Sequence, residues 1–244
     1  MSNSSLRDGV DTAREIKVFS TIGVQSAVGK LAPRFEKMSG NKLRFTFATG
    51  PMLVKLMQAG ETADVMILNL AGIETMRKAG RIAAGSEVTL ASSAVAIAVK
   101  AGAPKPDISN AEALRTALLK ARSVSYTDPA AGGASGVYFA KLLDRLGIAS
   151  DVNAKTKYPP PGGYSGNFLL TGEAELAIQQ KPELMHVAGT EIVGPLPGDL
   201  NHITVFAAAT SVDSNNRESA SAFVEFLKSQ EAAIVFSASG LDPI

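Results

Sequence analysis

The sequence contains no cysteine, no tryptophan and only two histidines, His186 and His202. The absence of cysteine excludes disulfides, thiolate catalysis and metals bound through cysteine. Two isolated histidines do not form the His-rich cluster of a zinc site, so we expect no metal and no cofactor. No stretch approaches the roughly 18 apolar residues that a membrane-spanning helix needs. We therefore expect no insertion into a membrane.

An excess of charge of one sign is also lacking. The 244 residues include 24 lysines and arginines and 23 aspartates and glutamates, which leaves a net charge of +1. The basic residues are scattered among apolar ones, so we expect no nucleic-acid partner. Hydrophobic residues make up 45% of the chain, which is typical of a globular protein. The length allows one large domain or two small ones.

Apolar periodicity predicts an alternation of strands and helices in the first third of the chain. Strands are predicted at 16–21, 43–49 and 64–68, and helices at 24–38, 53–58 and 73–78. This order is typical of a parallel sheet with right-handed crossovers.

Two long strand-like segments, 87–102 and 201–210, enclose a second block with strands and helices of its own. Long extended segments of this kind can cross between lobes, so the pattern predicts a hinge of two strands. We predict a flexible tail at 1–15, a first lobe of 16–90 and 206–244, and a second lobe of 91–205.

Small, hydroxylated or amidic residues follow the predicted strands. In open α/β sheets ligands bind at the carboxyl ends of strands, against helix N-termini that suit anions. No lysine or arginine lies in these turns, which favours an anion held by neutral donors. The candidate binding residues in the four turns are Ser20, Thr21, Gly23, Thr49, Gly50, Asn69, Ser135, Gly136 and Val137.

Two further candidates lie outside these turns. Gln180 ends an apolar strand and carries an amide that can hydrogen-bond an oxyanion, and Tyr164 could cover the cleft from a glycine-flanked loop. Each candidate also has a structural explanation, because tight turns need small residues in any case. No phosphate-binding loop, nucleophile elbow or catalytic triad is recognisable, so no catalytic residue is assigned.

Four segments resemble, in order and spacing, the molybdate-binding branch of the type 2 periplasmic solute-binding proteins. They are KVFSTIGVQSAVGKLAPRFEKMSG, FATGPMLVKLMQAGETADVMIL, YTDPAAGGASGVYFAKLL and LLTGEAELAIQQ. The resemblance runs from about residue 16 to the C-terminus. It implies a two-lobed α/β fold with mixed sheets flanked by helices, a two-strand hinge, and a ligand held in the cleft between the lobes.

The chain departs from this branch at positions expected to touch ligand. Molybdate binders usually have a serine in the first turn, where this chain has Gly23, and a tyrosine at the end of the late strand, where it has Gln180. Their second turn is rich in serine, whereas here it reads Thr49, Gly50, Pro51. Fewer hydroxyl groups and more open space favour an organic di- or tricarboxylate over a tetrahedral oxyanion.

The resemblance implies the solute-binding component of an ABC-type uptake system, a monomer that closes on a small anion by hinge motion and delivers it to a membrane permease. Three alternatives stay open. One is an enzyme similar to aconitate isomerase, which shifts a proton on a tricarboxylate. Another is a molybdate- or tungstate-binding protein, and the third is a cytoplasmic ligand sensor. No base is visible in the four turns, so binding without catalysis is favoured.

The first residues, MSNSSLRDGVDTAREIKV, lack the apolar segment and the cleavage site of a signal peptide. A chain that begins in this way is expected in the cytoplasm. The family resemblance implies the periplasm instead, if a leader was removed.

Overall fold

The structure is a computed structural model that describes residues 14–244. Of the predicted tail at 1–15, residues 1–13 lie outside the described residues. Glu15 already belongs to the first strand, so that strand begins one residue earlier than predicted.

The first third of the chain forms the predicted strand–helix alternation. The elements are β1 (Glu15–Thr21), α1 (Gln25–Ser39), β2 (Lys42–Ala48), α2 (Gly50–Gln58), β3 (Val65–Asn69) and α3 (Leu70–Lys78). β1 pairs in parallel with both β2 and β3, which confirms the predicted parallel arrangement. The first four residues of β3, Val65 to Leu68, are all apolar and buried because helices cover both faces of the sheet.

Several helices begin earlier than the apolar pattern predicts. α2 begins at Gly50 rather than residue 53, and α3 begins at Leu70 rather than residue 73. The apolar residues in these first turns, Met52 and Leu70, are exposed, so the period of the buried apolar residues begins only at Leu53 and Ile73. As a consequence, each helix follows its strand directly, and its free N–H groups lie at the end of that strand.

One long strand joins the two halves of the sheet. In β4 (Val88–Lys100) the first half pairs antiparallel with β9 (Ile203–Thr210) and with the short β10 (Asp242–Pro243). The second half of β4 pairs with β7 (Leu176–Gln180) and β8 (Thr190–Pro195). The changeover falls between Ala94 and Val95, so a single strand contributes to both halves.

The remaining elements complete a mixed sheet flanked by helices, as the predicted fold class requires. They are α4 (Ala111–Lys120), β5 (Val124–Tyr126), α5 (Ala134–Arg145), α6 (Ala149–Asn153), β6 (Thr156–Lys157), α7 (Asn167–Thr171), α8 (Lys181–His186), α9 (Arg217–Phe226) and α10 (Gln230–Ala238). The strand order is β2-β1-β3-β9-β4-β7-β5-β6. The sequence pattern did not predict α6, α8 or β8, because α6 and α8 are short and β8 shows no alternation in burial.

Four clusters of buried apolar side chains hold the layers together. In the first half, one cluster packs α1, α9 and α10 on the sheet, and another packs α2 and α3 on its opposite face. In the second half, α4, α5 and α6 cover one face and α7 and α8 the other. The two pairs of clusters share no residue. The lobe boundaries at 90/91 and 205/206 stay a prediction; the first core still includes Ala91 and the second begins at Val95.

No helix in the part of the chain from residue 14 onward is long and apolar enough to cross a membrane.

Candidate functional site

The carboxyl ends of three parallel strands meet at one edge of the sheet. β1 lies between β2 and β3, with Thr21 paired to Ala48 and Ser20 paired to Ile67. Asn69 ends β3. The turns that follow these strands are therefore neighbours in space, and the N-terminus of α5 approaches them from the second half of the chain.

These turns enclose a cavity of about 60 Å³. Seven of the eleven predicted binding residues line it, namely Thr21, Gly23, Thr49, Gly50, Asn69, Ser135 and Gln180. Ile22, Pro51, Ala134 and Phe206 give the cavity an apolar wall. The site therefore combines neutral polar groups with a hydrocarbon surface.

Contacts between the two halves close the cavity. The hydroxyl of Thr49 donates a hydrogen bond to the carbonyl oxygen of Ala131 at 3.1 Å. Gly132 adopts a left-handed conformation (φ 73°), and a Cβ there would lie 3.1 Å from the ring of Pro51. A side chain at position 132 would therefore be strained and would push the two turns apart.

Two helices present their N-termini at the cavity. The N-cap residue is Thr49 for α2 and Gly133 for α5, and neither makes a side-chain capping hydrogen bond. The first backbone N–H groups of a helix lack partners within it and carry a partial positive charge. Asn69 differs, because its side chain already accepts a hydrogen bond from the N–H of Gly72. The two uncapped N-termini suit an anion.

Three residues of the cavity wall carry a buried polar atom without a hydrogen-bond partner. These atoms are Thr21 Oγ1, Thr127 Oγ1 and Gln180 Oε1. Buried polar atoms are nearly always hydrogen-bonded in proteins, so an unpartnered group beside a cavity indicates a ligand or water.

The side-chain amide of Gln180 can donate a hydrogen bond to an anion in one of its two orientations. Its Nε2 donates to Thr204 Oγ1 at 2.8 Å, and its acceptor Oε1 faces the backbone N–H of Glu183 in a capping box but makes no hydrogen bond of normal geometry. The two ends of an amide are told apart by their hydrogen bonds alone. Rotating the amide by half a turn lets the Thr204 hydroxyl donate to Oε1 and frees the NH₂ group for an anion.

Glu183 is the one ionisable side chain among the described residues that line the cavity. Its Oε2 accepts a hydrogen bond from the backbone N–H of Gln180 at 3.2 Å. Burial raises the pKa of the Glu183 carboxyl from 4.5 to about 7, and the hydrogen bond from Gln180 opposes this shift. The side chain is therefore poised between its protonated and ionised forms near neutral pH.

A larger open groove, of about 1070 Å³, is lined by residues of the second half. Its wall carries charges of both signs, for example Lys105, Asp107 and Glu175. None of the unpartnered buried polar atoms belongs to it. The smaller cavity at the strand ends is therefore the candidate site.

A family model described as "Bacterial extracellular solute-binding protein" matches residues 16–242. The chain belongs to this family. It is 34% identical over 235 residues to an aconitate isomerase of Pseudomonas sp., with 94% of this chain and 88% of the relative covered. It is 26% identical over 238 residues to the molybdate-binding protein ModA of Escherichia coli K12, with 93% of this chain and 88% of the relative covered.

The fold is also that of solved periplasmic binding proteins. The periplasmic molybdate-binding protein of Azotobacter vinelandii superposes with a TM-score of 0.75 at 17% identity, covering 93% of this chain and 98% of the other. At this identity the likeness concerns the fold. The resemblance to type 2, molybdate-binding-like solute-binding proteins, which the sequence motifs indicated, is confirmed.

Ser20 and Gly136 of this solute-binding protein are predicted binding residues that do not line the cavity. The hydroxyl of Ser20 is buried and donates to the carbonyl oxygen of Thr21 at 3.2 Å. A Cβ on Gly136 would lie 2.2 Å from the carbonyl oxygen of Thr127. Gly136 therefore lets α5 pack closely on the end of β5.

Val137 and Tyr164 also lie outside the cavity wall. The N–H of Val137 donates to the carbonyl oxygen of Gly133 within the first turn of α5. Tyr164 packs its ring on His186, with 4.7 Å between ring centroids, so it covers α8 rather than the cleft. Burial raises the pKa of the Tyr164 hydroxyl, and the nearby charge of Glu183 adds to this shift.

Gln179 and Gln180 have separate roles in the solute-binding protein. Gln179 Oε1 accepts from the N–H of Ser165 at 2.8 Å, and its Nε2 donates to the carbonyl oxygen of Gly163 at 3.2 Å. Gln179 therefore fixes the glycine-rich loop beside the cavity, while Gln180 turns to Thr204.

Glu183, Thr127 and Phe206 line the cavity but were not among the predicted site residues. For Glu183, the sequence held a usable clue, because Gln180, Pro182 and Glu183 have the spacing of a helix start with a glutamate at its third position. That pattern predicts α8 and places the glutamate next to the strand end. Among residues 14–244 no group of three or more acidic or histidine side chains could hold a metal ion.

Proposed function

We propose that this solute-binding protein binds a small organic polycarboxylate in the cavity and interconverts cis- and trans-aconitate. The observation that carries the choice of ligand is the position of Phe206. A Cβ on Gly23 would lie 2.7 Å from its ring. The ring therefore occupies the space where molybdate binders usually have a serine side chain, and it offers an apolar surface to a carbon skeleton.

The polar part of the wall suits carboxylates. The N-termini of α2 and α5, the hydroxyls of Thr21 and Thr127 and the amide of Gln180 are neutral donors from both halves of the chain. A ligand with several carboxylates can contact both halves at once and stabilise an arrangement in which both halves face it.

The isomerase activity is supported by the relative that is 34% identical over 94% of this chain and is named an aconitate isomerase. Interconversion of cis- and trans-aconitate needs a proton removed from one carbon and supplied to another. The cavity contains an ionisable side chain, contrary to the expectation that no base is present.

A tetrahedral oxyanion is the second candidate ligand, and the size of the cavity favours it. A volume of about 60 Å³ holds roughly four water molecules, which is less than a tricarboxylate occupies. Binding of aconitate therefore requires the two halves to lie further apart than they do here. The relative ModA, which is 26% identical, is named a molybdate-binding protein.

The deciding experiment measures turnover and binding side by side. We expect purified protein to convert trans-aconitate to cis-aconitate, followed by ultraviolet absorbance and chromatography. We also expect aconitate to raise the melting temperature, since a ligand at a hundred times its Kd stabilises by about 2.7 kcal/mol. Stabilisation by molybdate or tungstate, with aconitate inert in both assays, would establish the oxyanion candidate instead.

The role of the unpartnered hydroxyls gives a second test. We expect Thr21→Val to weaken aconitate binding by about 5- to 150-fold, the equivalent of roughly 1–3 kcal/mol for one buried hydrogen bond. Thr210→Val is the matched control, because Thr210 Oγ1 is also buried and unpartnered but does not line the cavity. Calorimetry should show unchanged affinity in the control, and equal affinities in both variants would remove Thr21 from the site.

The permease partner, the periplasmic location and the monomeric state remain proposals. A binding role in ABC-type uptake without catalysis is the outcome if aconitate binds tightly and is not converted.

A further inference from the structure

Glu183 stands at a position where its helix does not need an acid. It is the third residue of α8, and its Oε2 accepts the N–H of Gln180, the residue that precedes the helix. Glutamine makes the same capping contact at this position of a helix. Capping therefore explains a side chain of this length with an acceptor oxygen, but it does not explain a carboxyl group.

The carboxyl group is also unfavourable for anion binding alone. Among residues 14–244, no lysine, arginine or histidine forms an ion pair with Glu183. Burying an unpaired carboxylate is costly, and an ionised one repels an anion in the same cavity. A catalytic role for the carboxyl group would explain why the protein tolerates both the cost of burying it and its repulsion of an anion.

The surroundings of Glu183 match those of a general acid–base group. It lines the same cavity as the unpartnered groups of Thr21, Thr127 and Gln180, which are available to hold a substrate there. Burial places the pKa of Glu183 at about 7, so both protonation states are available at neutral pH. A group that takes a proton and returns it works best under this condition.

Building on the proposed function, we propose that Glu183 is the catalytic residue that carries the proton between the two carbons of aconitate. The carboxylate takes a proton from the methylene carbon, and the electron pair of the broken C–H bond forms a new C=C bond. The electrons of the former double bond take the proton back from Glu183 at the other carbon. No oxidant or co-reactant is needed, and Glu183 ends in its initial state.

The negative charge that develops during this transfer spreads onto the substrate carboxylates. The uncapped N-termini of α2 and α5 lie at the same cavity. Their N–H groups and partial positive charge stabilise such an anion without moving. The helix N-termini that stabilise the negative charge belong to α2 and α5, whereas the residue that carries the proton, Glu183, belongs to α8.

The test compares Glu183→Gln with wild type and with Glu218→Gln, a control at an exposed glutamate of α9. We expect Glu183→Gln to lose about 10²- to 10⁴-fold in kcat, the usual contribution of a general acid–base group. It should bind trans-aconitate at least as tightly as wild type in calorimetry, because the glutamine keeps the contact to Gln180 and removes a repelling charge. Wild-type turnover in Glu183→Gln would overturn the inference while the isomerase function stands.

A second measurement separates the two proposals. Proton NMR in D₂O follows exchange of the methylene hydrogens of trans-aconitate during incubation with each protein. If wild type exchanges these hydrogens without forming cis-aconitate, and Glu183→Gln does not, the role of Glu183 stands and the isomerase function fails. If wild type neither isomerises nor exchanges, both proposals are wrong. Thermal melts of the variants confirm that each is folded.

Discussion

Replacing Gly136 with alanine is expected to destabilise the protein by about 3 kcal/mol, which is at the upper end of the cost of overpacking a core. The added Cβ would lie 2.2 Å from the carbonyl oxygen and 2.9 Å from the carbonyl carbon of Thr127. Both are backbone atoms at the end of β5, so no side-chain rotation relieves the clash. Either α5 or the strand end must move, and both border the cavity.

Gly29→Ala is the matched control for this substitution. Gly29 lies inside α1, and a Cβ there meets nothing within 4 Å. Alanine is favoured over glycine within a helix, so this variant should gain about 0.5–1 kcal/mol. Urea unfolding followed by circular dichroism measures both changes. Equal stabilities of Gly136→Ala and wild type would mean that α5 and β5 are not in close contact.

The second large effect concerns the dependence of stability on pH. Glu183 has a pKa of about 7 in the folded protein against 4.5 ordinarily, so the folded state holds this proton more tightly than the unfolded chain. The resulting stabilisation is complete below pH 4.5 and is lost as the pH rises through 7. A shift of this size corresponds to about 3 kcal/mol. We therefore expect wild type to become less stable relative to Glu183→Gln as the pH rises.

The measurement is a pair of urea-unfolding curves for each protein, at about pH 4.5 and at about pH 8. Other titrating groups cancel when Glu183→Gln is subtracted from wild type at each pH. The difference between the two proteins should change by about 3 kcal/mol across this interval. A constant difference would show that Glu183 titrates like an exposed carboxyl, and it would remove the support that the pKa gives to a catalytic role.

Much of the first half of the fold follows from local sequence signals. The period of the apolar residues gives β1, β2 and β3 and the helices between them, and small residues mark the turns after these strands. Thr21, Thr49 and Asn69 could be predicted to lie together because parallel neighbouring strands end at the same edge. That Ser135, from the second half of the chain, faces the same ligand as these turns was implied only by the family resemblance.

The parts of the site that could not be predicted depend on long-range packing. Phe206 lies on β9, and nothing near it in the sequence indicates that its ring approaches Gly23. Glu183 is different, because a local capping pattern indicates its helix; the pattern was overlooked because the helix has only six residues and shows less than two turns of apolar periodicity. Tyr164 was predicted to cover the cleft because of its glycine neighbours, but its ring instead packs on His186.

The way β4 joins the two halves has a consequence for how the chain is made. The core clusters of the second half use a continuous segment, from Val95 to Leu200. Those of the first half need residues from Ile16 onward together with residues as late as Leu241. During synthesis the second half is thus complete while the first still lacks β9, α9 and α10. We expect the middle of the chain to fold first, leaving the N-terminal strands exposed until β9, α9 and α10 have been synthesised.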